Sequence, residues 1–111
     1  MPRTKTYSAE TGFVYQYHFE EDRDYPGGRV YRFVTSVSRQ PPFVVEIRTP
    51  DAATSEWERT QNRTLTWTER YAIAKMALFA AMDTAASPQQ LREPCEVDVS
   101  QISEIARTLD L

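Results

Sequence analysis

The chain has one cysteine, one histidine and three glycines among 111 residues, and each shortage removes a class of function. The single thiol, Cys95, closes no internal disulfide, and no apolar run follows Met1-Pro2-Arg3-Thr4-Lys5, so the expected compartment is the reducing cytoplasm. With only His18 and Cys95 as imidazole and thiol, a zinc or iron centre lacks ligands, and neither a metal nor a cofactor is expected. The glycines form no Gly-x-Gly-x-x-Gly and no Gly-x-x-x-x-Gly-Lys-Ser/Thr pattern, so no phosphate-cradling loop is present. The longest nearly uncharged stretch, Tyr71 to Met82, contains Lys75 and falls short of the roughly 20 residues that span a bilayer, which excludes a membrane role for it.

What remains is the composition of a folded domain. Hydrophobic residues make up 41% and charged ones 26%, too apolar and too weakly charged for a disordered chain. Residues 1–111 are read as a single domain, with 1–11 as a flexible or extended N-terminus. The net charge of −3 argues against binding a polyanion through the overall field.

Three stretches alternate with a period of two. Phe13, Tyr15, Tyr17 and Phe19 fall on one side of the first; Tyr31, Phe33, Thr35 and Val37 on one side of the second; Phe43, Val45 and Ile47 on one side of the third. They predict an antiparallel meander with an aromatic face, its first connection an acidic hairpin loop, Glu20 to Asp24, that continues into a Pro26-Gly27-Gly28 turn. Thr49-Pro50 reads as the start of a short helix carrying Ala53 and Trp57. Thr66-x-x-Glu69 is a capping box that opens a helix over 67–84. Cys95 to Val99 alternates weakly, as a fourth edge strand near Val97 would, and Ser100 is placed to cap a last helix bearing Ile102, Ile105, Ala106 and Leu109. The fold class is therefore α+β: a three-stranded antiparallel sheet, four-stranded if the edge forms, with one long helix on one face and shorter helices at the ends.

The long helix is apolar on more than one side. Trp67, Tyr71, Ala74, Leu78, Ala81 and Met82 form one face, while Ile73, Met76, Ala77 and Ala80, with Phe79 between, form another. A helix resting on a sheet needs one apolar arc, so this second face calls for a second cover. Either the C-terminal helix folds over it through Ile102, Ile105 and Leu109, or a second subunit does. Ile73, Met76, Ala77, Phe79 and Ala80 are thus the candidate partner-binding residues, for a homodimer or another protein.

Catalytic constellations are scarce. A Cys95–His18 pair would need a depressed thiol pKa, which the neighbours Glu93, Glu96 and Asp98 oppose. Glu20 to Asp24 lacks the spacing of a calcium loop. The polar face of the sheet would present Arg32 and Arg48 to an anion, with Arg29 and Arg39 at its rim, which makes nucleic acid an alternative partner. Tyr15, Tyr17, Tyr31 and Tyr71 would line an apolar pocket if one lay between sheet and helix, the requirement for a small enzyme or ligand carrier.

Strands followed by an alanine-rich helix resemble the C-terminal part of a double-stranded RNA-binding domain over about half the chain. Of that family's Lys-Lys-x-Ala-Lys cluster only Ala74-Lys75 is present, and its first helix has no counterpart before Phe13, so the likeness is one of element order. The reading carried forward is a non-catalytic interaction module that dimerises or docks through the long helix.

Overall fold

The computed structural model describes residues 3–111 as an α+β fold. Strands β1 (Lys5–Ser8), β2 (Val14–Tyr25), β3 (Gly28–Val37), β4 (Phe43–Pro50) and β5 (Cys95–Glu96) form one sheet in the order β1-β2-β3-β4-β5. The first four pair antiparallel, and β5 joins β4 in parallel. Helices α1 (Asp51–Gln61), α2 (Trp67–Thr84) and α3 (Val99–Thr108) complete the fold, with a 3-10 turn at Pro88–Arg92 between α2 and β5. No helix among the described residues is long and apolar enough to cross a membrane.

The meander read from the alternation is β2, β3 and β4, but the sheet has five strands rather than three or four. The N-terminal stretch supplies the extra strand: Lys5 to Ser8 pair with Tyr17 to Val14. Four residues with one large apolar side chain carry too little alternation to announce a strand. Tyr7 anchors it from a distance by stacking on Phe79 of α2, ring centroids 4.2 Å apart. At the opposite edge β5 is only two residues long, extended by the Val97 amide, which donates to the Arg48 carbonyl at 2.9 Å.

The acidic stretch also differs from the expected loop. A register shift between Phe19 and Glu21 lets β2 continue to Tyr25, so Glu20 to Asp24 are strand residues and the turn is confined to Pro26-Gly27. Gly27 takes φ of +102°, a conformation side-chain-bearing residues rarely adopt. Gly28 is needed for a different reason. A Cβ there would stand 2.6 Å from the Thr49 carbonyl oxygen and 2.9 Å from the Pro50 Cα, both backbone atoms that cannot swing away.

Helix boundaries follow local chemistry. The Thr66–Glu69 capping box is formed in both directions, at 3.1 and 2.9 Å. Pro50, not Thr49, is the N-cap of α1; the Thr49 hydroxyl instead donates to the Arg29 carbonyl across the β3–β4 pair, and α1 runs for 11 residues rather than a turn or two. Asn62 ends it in the left-handed conformation, φ 52°. The cap of α3 is Asp98, with Gln101 closing the box, rather than Ser100, because the helix already begins at Val99 and Ser100 lies inside its first turn.

The aromatic face of the meander is the core: Tyr15, Tyr31, Phe33, Val45 and Ile47 have no exposed surface. Against it lie Ala74, Leu78 and Met82 of α2 and Trp57 of α1. Helix α3 packs on α1 and α2, and Ile102 and Ala106 join Ile73 and Ala77 in the same buried cluster. The second face of α2 is therefore covered from within, by α3, over its Ile73 and Ala77 part. Replacing Gly28 by alanine forces the β3–β4 pair apart and is expected to cost about 1–3 kcal/mol. A urea midpoint for Gly28→Ala equal to that of the wild type would show that the close approach to Thr49 is not required.

Candidate functional site, a strip between two helices

Helix α2 turns three arcs in three directions. The arc with Ala74, Leu78 and Met82 is buried toward the sheet, and the arc with Ile73 and Ala77, each 2% exposed, is buried in the cluster shared with α3. A third arc, Ala72, Lys75, Met76, Phe79, Ala80 and Asp83, stays partly or fully exposed. Of the five sequence candidates, Ile73 and Ala77 are thus structural, whereas Met76, Phe79 and Ala80 are accessible. They share an open groove of about 490 Å³ with Tyr7 and Asp83 on one side and Gln101, Glu104, Ile105 and Thr108 of α3 on the other.

Tyr7, Asp83 and Ile105 were not among the candidates. Tyr7 stands 76 residues from Asp83 in sequence, and its hydroxyl donates to Asp83 Oδ2 at 2.7 Å while the Glu10 amide donates to Oδ1 at 3.0 Å. The hydrogen bond to Asp83, aided by burial, pushes the Tyr7 phenol up to about 12. Lys75 lies over the rings of Tyr17 and Phe79, 5.9 Å from each centroid. Burial first, and then the neighbouring Lys5, lower the pKa of the Lys75 ammonium.

The arginine face is differently disposed. Arg32 is ion-paired to Glu20 at 3.2 Å and to Glu46, and Arg48 reaches Glu46 at 3.4 Å while lying 5.4 Å over the Tyr25 ring. Arg29 falls on the helix side of the sheet, in register with Asp24, and binds Asp22 at 2.6 Å and Asp24 at 2.7 Å. Arg39 is exposed in the β3–β4 turn. The four arginines are therefore not one cluster, and three of them are held by carboxylates of β2 and β4.

The remaining candidates are separated or buried. His18 and Cys95 belong to β2 and β5, three strand spacings or about 14 Å apart across the sheet. Their register partners, Val34 and Ile47, lie on opposite faces, and burial raises the Cys95 thiol. Tyr15 and Tyr31 are fully buried with hydroxyls that have no partner among the described residues, Tyr17 is nearly buried, and Tyr71 stacks on Trp67. The cavity bounded by Thr49, Thr54, Leu65, Arg70, Ile73 and Ile102 has about 10 Å³, the space of about one water and too small for a substrate. Among the described residues no group of three or more His, Cys, Asp or Glu is placed to hold a metal ion.

No protein family, curated protein or solved structure matches this chain.

Asp22 ties the sheet to α2, accepting from Trp67 Nε1 at 3.0 Å and from Arg29. Burial opposes its ionisation, but the Trp67 N–H and the Arg29 guanidinium together outweigh it and hold the carboxyl below its ordinary 3.8. A carboxylate depressed in the folded state stabilises above the unfolded value, and that contribution is lost as the pH falls through the folded one. Stability is therefore expected to decline below about pH 4, and Asp22→Asn to lower it by about 1–2 kcal/mol at pH 7 while flattening the acid limb. Parallel acid limbs for wild type and variant in urea titrations would contradict this role.

Proposed function

We propose that the chain is a non-catalytic interaction module that docks on another protein chain through the strip between α2 and α3. The observation that carries this reading is the third arc of α2: Met76, Phe79 and Ala80 line an open groove with Tyr7 and Ile105 although α3 is already packed against the same helix. An apolar groove with a polar rim, here Asp83, Gln101, Glu104 and Thr108, is the usual form of a protein-binding surface. Ala80 is exposed at the crest of the helix, where a small side chain permits close approach of a partner backbone. The half-buried thiol of Cys95, its pKa raised and remote from His18, favours binding over nucleophilic chemistry and suits a reducing cytoplasm.

The nucleic-acid alternative through the sheet has less support, since Arg29, Arg32 and Arg48 already neutralise Asp22, Glu20 and Glu46 and would have to leave them to bind phosphate. Ala80→Arg places a long charged side chain on the crest without disturbing the core. Tagged wild-type protein in native extract is expected to retain a stoichiometric partner, or untagged copies of itself, that Ala80→Arg loses at least about tenfold. Equal retention by both baits would move the docking surface elsewhere.

A further inference from the structure

The third arc of α2 carries charge of opposite sign at its two ends. Lys75, with Lys5 beside it, marks one end; these are the only lysines of the chain. Asp83 marks the other, about 12 Å along the helix axis at 1.5 Å per residue. Asp83 accepts hydrogen bonds only from neutral donors, the Tyr7 hydroxyl and the Glu10 amide, and Lys75 makes no ion pair among the described residues. This contrasts with the sheet, where Arg29, Arg32 and Arg48 each have a carboxylate. Asp83 and Glu104 are the two acids of the groove lining, with Glu10 beside Tyr7 as a third nearby, and the two lysines lie next to that lining.

Along the same arc, Ala72, Met76, Phe79 and Asp83 recur at intervals of four, three and four, the spacing of a helix that packs along another helix. Positions 75 and 83 lie symmetrically about Phe79. If two such helices cross antiparallel on a twofold axis at Phe79, Lys75 of each faces Asp83 of the other, and the contact closes on itself. A partner unrelated to this chain would meet the same strip without that symmetry.

We infer that the occupant of the strip is a second copy of this chain, seated by an antiparallel α2–α2 crossing centred on Phe79 and aligned by two reciprocal Lys75–Asp83 pairs. This rests on the docking reading above and names its partner. Met76 supplies apolar area at the centre beside Phe79, whose ring is already stacked on Tyr7, Ala80 the close approach, and the charges the direction. One helix pair is a contact at the small end of specific interfaces, so the dimer is expected to form with a Kd on the order of 10 µM.

The test is sedimentation equilibrium of the wild type and of Lys75→Glu, Asp83→Lys and Ala80→Arg, each checked for folding by circular dichroism, from about 1 µM to about 1 mM. The wild type is expected to pass from monomer to dimer. Either charge reversal alone sets like charges opposite each other twice and should weaken the dimer at least about tenfold. Mixed one to one, Lys75→Glu and Asp83→Lys should recover a heterodimer, because both cross-pairs are then of opposite sign. Asp83→Lys also removes the Tyr7 contact, so Ala80→Arg, at an exposed site, provides the second disruption. A wild type that stays monomeric throughout, or a dimer indifferent to Lys75→Glu and Ala80→Arg, overturns the inference. The wider docking reading is judged separately: it survives if Ala80→Arg still abolishes capture of a different protein, and it falls if capture is unchanged.

Discussion

Helix α2 carries more apolar surface than one neighbour can hide, and the rest of the molecule is arranged around that excess. The aromatic face of the meander covers Ala74, Leu78 and Met82, and α3, folding back on the same helix, closes the side of Ile73 and Ala77. At about 25 cal/mol per Å² of apolar area, each fully buried Leu, Ile or Met contributes about 1.5–3 kcal/mol, more than any single surface ion pair here. The order of the chain serves this arrangement. Strands come first, α1 and α2 are laid on them, and the short parallel β5 returns the chain to the sheet edge so that α3 starts from Asp98 beside α1 and α2.

Charge is used in two ways. On the sheet, cross-strand arginine–carboxylate pairs settle the register of β2, β3 and β4 and leave little unpaired field for a phosphate backbone. Along the outer arc of α2 the charges have no counterpart within the described residues. The outer arc of α2 is thus a surface on which apolar area and uncompensated charge coincide.

The meander and the long helix were legible because they rest on local signals: the strict alternation of Phe13, Tyr15, Tyr17 and Phe19, and the Thr66–Glu69 box that starts α2 at Trp67. β1 was not, since the stacking of Tyr7 on Phe79 that holds it links residues 72 positions apart. The acidic stretch of β2 read as a loop because Asp and Glu disfavour strands, yet Arg29 and Arg32 on the neighbouring strand offset that preference. The second face of α2 was visible as an excess of apolar residues. Its division into a part sealed by α3 and a part left open depends on the angle at which α3 crosses, which no residue of α2 encodes. Met76, Phe79 and Ala80 could thus be named in advance, with Ile105 as a residue of the covering helix, but Tyr7 and Asp83 could not.

The two methionines of α2 report on this division directly. Met82 has no exposed surface and Met76 lies in the groove wall. Oxidation to the sulfoxide follows exposure, so peroxide footprinting read by mass spectrometry distinguishes them. The account predicts that Met82 is protected at every protein concentration, while Met76 reacts readily in dilute solution and becomes protected as the concentration rises. Equal reactivity of the two, or protection of Met76 that does not depend on concentration, would contradict it.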